Sequence, residues 1–238
     1  SNNTALGAMS LFRNTTANEN VAVGRCSLYN NTEGTKNIAV GSYALDTNTT
    51  GDKNVAIGYQ ALDANTTADN NTAVGDSALK TNTTGAENVA VGKNALTANT
   101  TGANNVALGS QSLDTNTSGS NNTGIGRNAL FSNTTASHNT AIGYDSLFSN
   151  TTGSCNIAIG CGAMDSTTTS NSSIAIGFQA LQATNTNGSN LAIGRRALCL
   201  TTSGKCNIAI GDGSLLTNTT GDINTAVGYE TLELNTTG

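Results

Sequence analysis

Apolar and polar positions alternate in one short stretch that returns along the whole chain, for example as Asn54-Val55-Ala56-Ile57-Gly58. Its glycine recurs every seventeen residues from Gly7 to Gly228, so fourteen units of seventeen account for all 238 residues. A fixed repeat period of this length is typical of a stacked, solenoid-like architecture. We number the positions of each unit, or coil, from one to seventeen, with Ser1 at position one of the first coil.

Positions three to seven of each coil have the two-residue period of a β-strand. Position six is aliphatic in all fourteen coils, and position four is aliphatic or Thr. Such residues suit a pleated surface, whereas the recurrent glycine and the Asn-Thr-Thr-Gly segment oppose a helix. The pattern predicts an all-β fold, a parallel β-solenoid of fourteen 17-residue coils. We expect residues 1–238 to form a single uninterrupted array and to be a segment of a longer fibre.

Three further columns of residues complete the predicted coil. Position eleven is Leu in thirteen coils, and we expect a second short strand or bend to carry it inward. Position three is Asn in every coil except at Ser173, and stacked amides of this kind predict a ladder in which each side chain bonds the next. Glycine at position seven indicates a corner whose backbone conformation is closed to other residues.

The alanine column at position five is predicted to lie on the opposite face of the strand from positions four and six. If positions four and six fill the coil, these alanines face outward and pack closely, either on a neighbouring chain or on the opposite wall of a thin roll. The first alternative predicts lateral association into a homo-oligomer. The column consists of Ala5, Ala22, Ala39, Ala56, Ala73, Ala90, Ala107, Ala141, Ala158, Ala175, Ala192, Ala209 and Ala226, with Gly124 as the exception.

Composition excludes several classes of partner. Only 11% of residues are charged and the net charge is -5, without the clustered Lys and Arg of a nucleic-acid or anionic-membrane surface. No apolar run approaches the length of a membrane span. There is no proline, as an uninterrupted stack of strands requires.

The stretch Asn54-Val55-Ala56-Ile57-Gly58-Tyr59-Gln60-Ala61-Leu62 resembles the head repeats of YadA-like trimeric autotransporter adhesins. It is still more similar to the repeats of phage and giant-virus fibre proteins. The resemblance covers all fourteen coils, although the adhesin coils are shorter. It implies a left-handed parallel β-roll that trimerises, and it carries over no binding residues.

Asn-Thr-Thr at positions fourteen to sixteen creates a column of N-glycosylation sequons, and others lie outside the column. Two interpretations are compatible: glycosylation, or a turn whose Asn and Thr side chains bond the local backbone and the next coil. Glycosylation is favoured where a lost sequon reappears nearby, as at Asn30 and Asn187. The candidates are Asn2, Asn14, Asn30, Asn48, Asn65, Asn70, Asn82, Asn99, Asn116, Asn121, Asn133, Asn150, Asn171, Asn187, Asn218 and Asn235.

The threonine columns at positions fifteen and sixteen suggest a second function, the binding of ice by ranks of hydroxyl groups. Adjacent residues of a strand face opposite sides, however, so two such ranks do not share one flat face. We therefore rank ice binding below a structural function.

Residue types that carry chemistry are sparse. The lone His138 is predicted to be a solvated turn residue, and acidic residues at position twelve are scattered rather than paired. Of the five cysteines, Cys199 and Cys206 flank a turn and form a candidate disulfide, while occasional substitution at tolerant positions is the simpler account of all five. No catalytic residue, metal ligand or cofactor site is predicted, covalent glycans apart.

All nine aromatic residues occupy positions eight, nine or twelve, where other coils carry polar residues. We predict that they lie at the surface, with Phe12 stacked on Tyr29 and Phe131 on Phe148. They either shield the coil edge or contact a sugar or a neighbouring chain.

These observations predict a non-enzymatic structural protein, the shaft of an extracellular or virion-surface fibre that is N-glycosylated on its turns. Its partner is predicted to be itself, through lateral association or head-to-tail stacking into a filament. The alternatives are an adhesin that binds glycans and an ice-binding protein.

Overall fold

The computed structural model describes residues 2–183 and 188–238. The chain divides into two compact units, Ser1–Asn121 and Asn122–Gly238. Within the described residues every strand is three residues long and no helix is present. The predicted all-β parallel solenoid is confirmed, and each unit is built from successive copies of the same coil.

Seven successive strands pair in parallel in each unit, and each residue lies beside the residue seventeen positions further along. The first unit contains β1 (Thr4–Leu6), β2 (Val21–Val23), β3 (Ile38–Val40), β4 (Val55–Ile57), β5 (Thr72–Val74), β6 (Val89–Val91) and β7 (Val106–Leu108). The second contains β8 (Thr123–Ile125), β9 (Thr140–Ile142), β10 (Ile157–Ile159), β11 (Ile174–Ile176), β12 (Leu191–Ile193), β13 (Ile208–Ile210) and β14 (Thr225–Val227).

Of the two alternatives predicted around the leucine, a strand or a bend, the structure shows a bend, a six-residue turn that carries the leucine inward. Residues 42–47 show its form, with Tyr43 and Leu45 in the left-handed region at φ 61° and 52°. The turn still bonds to both neighbouring coils, because Tyr43 N donates to Arg25 O at 2.9 Å and Leu45 N donates to Ala61 O at 3.1 Å. Left-handed geometry is costly for a leucine, and complete burial of its side chain offsets that cost.

Apart from Ala5, which is exposed in the first coil, the alanine column is buried inside the coil, so the predicted outward orientation is wrong. Ala56 and Ala73 are fully buried, and so is Leu62, whereas Ile57 keeps 40% of its surface exposed. Residues of β4 do alternate between two faces as predicted, but Ala56 lies on the buried face and Ile57 on the outer face. A coil of seventeen residues holds one large side chain per layer, the leucine, and the strand contributes only a methyl group. Of the two alternatives for the constant alanine, the structure shows the interior of a thin roll.

The position-three asparagines are buried, except for the half-buried Asn3 and Asn224 of the terminal coils. They bond the next coil in a different way from the one predicted. Asn54 N donates to Asn37 Oδ1 at 2.8 Å, and Asn54 Nδ2 donates to Ala68 O at 2.8 Å. The side chain therefore bonds mainly to backbone groups, although some pairs, such as Asn88 Nδ2 to Asn71 Oδ1 at 3.2 Å, also join two amides.

The position-seven glycine is the predicted corner. Gly92 has φ 134°, and a Cβ added there would lie 2.6 Å from the carbonyl carbon and oxygen of Gly109. Both the backbone angle and the close approach of the next coil therefore require glycine at this position.

Candidate interaction surfaces

The outer face of the sheet carries an aliphatic strip, which we define as the side chains at positions four and six. In each unit, seven coils at about 4.8 Å make this strip about 34 Å long. Ile38, Ile57 and Val91 expose 39%, 40% and 38% of their surface. Every residue of the strip is Thr, Val, Ile or Leu, so it carries no charge. Exposed, contiguous apolar surface of this kind is typical of an interaction site.

The position-fourteen asparagines form an amide ladder, which confirms the interpretation of this column as a turn whose side chains bond the local backbone and the next coil. Asn65 Nδ2 donates to Asn48 Oδ1 at 2.7 Å and to Ala68 O at 3.0 Å, and Asn82 Nδ2 repeats the pattern on Asn65 Oδ1 at 3.2 Å. The side chains are completely buried. Each amide thus holds its own turn closed and bonds the preceding coil.

This burial overturns the glycosylation prediction for most of the column. N-glycosylation modifies the side-chain nitrogen, which here donates hydrogen bonds inside the coil and is closed to solvent. The eight fully buried candidates are Asn48, Asn65, Asn82, Asn99, Asn116, Asn133, Asn150 and Asn218. A glycan on any of them is incompatible with this fold.

The remaining candidates differ in accessibility. Half-buried side chains whose nitrogen donates to a backbone carbonyl belong to Asn14, Asn30 and Asn235. Exposed side chains belong to Asn2, Asn70, Asn121 and Asn171, and Asn171 Nδ2 also donates to Thr169 O at 3.3 Å. Asn187 lies outside the described residues.

The two threonine ranks differ in their surroundings, as expected for neighbouring residues. At position fifteen the hydroxyl bonds the next coil, as Thr49 Oγ1 does by donating to Thr66 O at 2.9 Å. The position-sixteen residues Thr50 and Thr67 are exposed. The two ranks therefore do not form a shared hydroxyl face of the kind that an ice-binding surface would need.

The five cysteines are all free thiols, so the candidate disulfide between Cys199 and Cys206 is absent. Cys199 is buried, with Sγ 3.7 Å from Gln182 Oε1, whereas Cys206 is exposed. Cys155 and Cys161 are also exposed.

Aromatic side chains stack between neighbouring coils, as predicted. The ring centroids of Phe12 and Tyr29 lie 5.4 Å apart with planes 3° from parallel, and those of Phe131 and Phe148 lie 5.1 Å apart at 8°. The coil spacing therefore sets the spacing of stacked rings. These pairs confirm the predicted surface stacking.

A slot opens in the second unit where two exposed rings share a column without stacking. Tyr144 and Phe178, both at position eight, are 49% and 48% exposed and stand two coils apart, about 10 Å at the strand spacing. Cys161 occupies the same column between them. The next residue, Gly162, has no side chain at position nine, where most other coils carry one. The resulting open cavity has a volume of about 160 Å³.

Four polar side chains border this slot: Asp145, Asp165, Gln179 and Gln182. Asp145 Oδ1 accepts a hydrogen bond from Asn128 Nδ2 at 2.9 Å. Burial raises the pKa of Asp165, and the charge of Asp145 raises it further, while a hydrogen bond with Gln182 acts in the opposite direction. The slot thus combines two aromatic walls with a rim of carboxylates and amides.

Burial also raises the pKa of three other position-twelve carboxylates, Asp46, Asp63 and Asp114. In the part of the chain that the structure describes, no group of three or more His, Cys, Asp or Glu side chains is placed to hold a metal ion. His138 is exposed at φ 62°, on the left-handed turn at position two. The described residues also include no helix able to cross a membrane.

Sequence reasoning missed both the aliphatic strip and the slot. The strip was assigned to the interior because its residues are the larger apolar ones. The slot had a visible signal, since Gly162 interrupts the position-nine column beside two aromatic residues of the position-eight column. Aligning the coils by position reveals it.

No protein-family model matches the chain, and no curated protein or solved structure matches it either. Its function is therefore inferred from its own surfaces.

Proposed function

We propose that this chain is a structural repeat protein, a shaft segment of an extracellular or virion-surface fibre whose chains associate side by side. The observation that carries the proposal is the uncharged aliphatic strip on the outer face of the sheet. The coil interior is complete without this strip, because Leu, Ala and Asn side chains fill it. The side chains of the strip are mostly half-buried on the outer face of the sheet, and their exposed surface is available to a partner.

A second copy of the chain is the partner that fits this strip. It carries the same ridges at the same coil spacing, so two strips interdigitate in register over the length of a unit. Identical repeats also give every coil the same contact, which suits a fibre assembled from parallel chains. The resemblance to trimeric adhesin and viral fibre repeats supports three chains around a common axis.

Sedimentation equilibrium tests this association. The wild-type chain should sediment as an oligomer, and the double variant Ile57→Lys/Val91→Lys should weaken association at least about a hundredfold, because like charges then face each other across the interface. Thr67→Lys/Thr101→Lys, on exposed positions of the same two coils, is the matched control. A wild-type chain that stays monomeric at high concentration would contradict the proposal.

Any N-glycans of such a fibre belong on the exposed sequons. We propose Asn2, Asn70, Asn121 and Asn171 as the acceptors, since their side chains reach solvent. Peptide mapping of material from a glycosylating host should locate glycans on these residues and on none of the buried position-fourteen asparagines. A glycan on Asn82 would refute this assignment.

A further inference from the structure

We propose that the slot between Tyr144 and Phe178 binds one pyranose ring of a neutral sugar, which makes this part of the second unit a glycan-binding site. The inference goes beyond a structural function and does not depend on lateral association. It rests on the spacing of the two rings, the missing side chain between them and the polar rim.

The spacing leaves room for a single ring. Elsewhere on the molecule, rings on adjacent coils stack with centroids 5.1 and 5.4 Å apart. Tyr144 and Phe178 stand two coils apart, and the small Cys161 occupies the layer between them. A ligand ring inserted there takes the place of the absent middle ring.

The Tyr144 ring already has its face directed along the stack. The Arg127 guanidinium, one coil earlier in the same column, lies 5.9 Å from the Tyr144 ring centroid and over that ring. The opposite face of Tyr144 therefore looks toward Cys161 and Phe178. An apolar face presented in this way suits the C–H face of a sugar, which packs on an aromatic ring.

The polar side chains at the rim of the slot suit the hydroxyl groups of a sugar. Asp145 uses Oδ1 for Asn128, which leaves Oδ2 to accept from a ligand hydroxyl. Asp165, which already accepts a hydrogen bond from Gln182, has further lone pairs to offer, and the Gln179 amide can both donate and accept. A flat apolar ligand would make no use of the remaining donors and acceptors of this rim, whereas a sugar carries hydroxyl groups around its whole edge.

The charges disfavour a cationic ligand. Asp145 and Asp165 are negative, but Arg127 and Arg196 lie one coil beyond the slot on either side and offset them. The region is close to neutral, so a quaternary ammonium gains little net attraction. A neutral sugar fits this balance best.

Cys161 provides a direct reporter of occupancy, because its exposed thiol lies inside the slot. Alkylation by iodoacetamide can be followed by mass spectrometry, with the exposed Cys155 and Cys206 as internal references. The probes are D-glucose, D-galactose, D-mannose, N-acetyl-D-glucosamine and L-rhamnose. At a sugar concentration about ten times the dissociation constant, alkylation of Cys161 should slow roughly tenfold while the references stay unchanged.

Gly162→Asn is the decisive variant, since it restores the missing side chain and fills the slot. It should fold normally, because Gly162 has φ 65° and Asn94 and Asn128 occupy the same position at φ 56° and 59°. Protection of Cys161 by sugar should disappear in this variant. It should persist in Gly213→Asn, the same substitution three coils away. Tyr144→Ala should also weaken protection at least about tenfold.

Several outcomes would overturn the proposal. One is that none of the five sugars slows Cys161 relative to the reference thiols. Another is that the sugars still protect Cys161 in Gly162→Asn. A third is that choline or indole protects Cys161 while the sugars do not, which would identify a cation or aromatic site instead.

Discussion

The amide ladder at position fourteen is broken at Thr167, and repairing it gives a sharp test of the fold. Asn150 Oδ1 is buried without a hydrogen-bond partner, and so is Thr167 Oγ1. In an intact coil the next asparagine donates to that oxygen, as Asn65 does to the preceding coil. We therefore expect Thr167→Asn to stabilise the second unit.

The size of the expected stabilisation follows from the hydrogen bonds that Thr167→Asn gains. The new Nδ2 can donate to Asn150 Oδ1, which removes a penalty of about 1–3 kcal/mol for an unpaired buried acceptor. It can also donate to Ser170 O, worth about 0.5–1.5 kcal/mol. The new Oδ1 replaces the unpaired hydroxyl of Thr167 and adds no further cost. After the side-chain entropy of asparagine is subtracted, the net gain is about 2 kcal/mol.

The substitution fits sterically. In most coils a glycine lies three residues after the position-fourteen asparagine, but the corresponding residue after Thr167 is Ser170. The fourth coil shows that a Cβ is compatible with the ladder, because Ala68 follows Asn65 there and accepts its hydrogen bond at 3.0 Å. No rearrangement of the turn is therefore needed.

Guanidinium unfolding followed by circular dichroism measures the effect. The midpoint should rise with an unchanged slope, and the melting temperature should rise by about 4–8 °C. An unchanged or lower midpoint would refute the reasoning. Thr167→Val removes the unpaired hydroxyl without pairing Asn150, so it should recover less than Thr167→Asn. Asn82→Thr, which breaks an intact ladder, should cost about 2–4 kcal/mol.

Three further changes test other parts of the coil. Gly92→Ala should destabilise the first unit by at least about 2 kcal/mol in chemical unfolding, because its Cβ would meet the backbone of Gly109 at φ 134°, while Gly213→Ala, at the left-handed φ of 66°, should cost less, about 1 kcal/mol. Ile223→Asn should stabilise the last coil, seen as slower hydrogen exchange, since a 78% exposed β-branched residue there adopts φ 58°. Burial raises the pKa of Asp63. The contribution of this carboxyl group to stability is therefore present at acidic pH and is lost as pH rises through its folded-state pKa. Asp63→Asn should raise the midpoint of denaturant unfolding at neutral pH and flatten the pH dependence of that midpoint. A fall in stability for Ile223→Asn or Asp63→Asn, or an unchanged midpoint for Gly92→Ala, would contradict these accounts.

The local sequence pattern was sufficient to predict the features of the coil that recur in every repeat or between neighbouring coils. The seventeen-residue period, the strand around Ala56, the corner at Gly58 and the stacking of Phe131 on Phe148 all follow from spacing and residue type. Each depends on residues that are close in sequence or separated by one period. The structure confirms them with only a shortening of the strand.

The local pattern did not predict which face of the strand is buried. Alternation separates Ala56 from Val55 and Ile57 but does not state which side is inside, and the larger residues were taken for the core. The same limit applies to Asn82, where a sequon and a buried ladder have identical sequences.

The sequence by itself thus determined the repeat, the fold class and the register, because the seventeen-residue period is written into every coil. Only the tertiary structure decided which side chains are inside. The narrow coil has space for one leucine per layer, so the strand turns its alanines inward and its aliphatic residues outward. The same packing closes the Asn-Thr-Thr column to solvent, and Gly162 opens the slot between Tyr144 and Phe178.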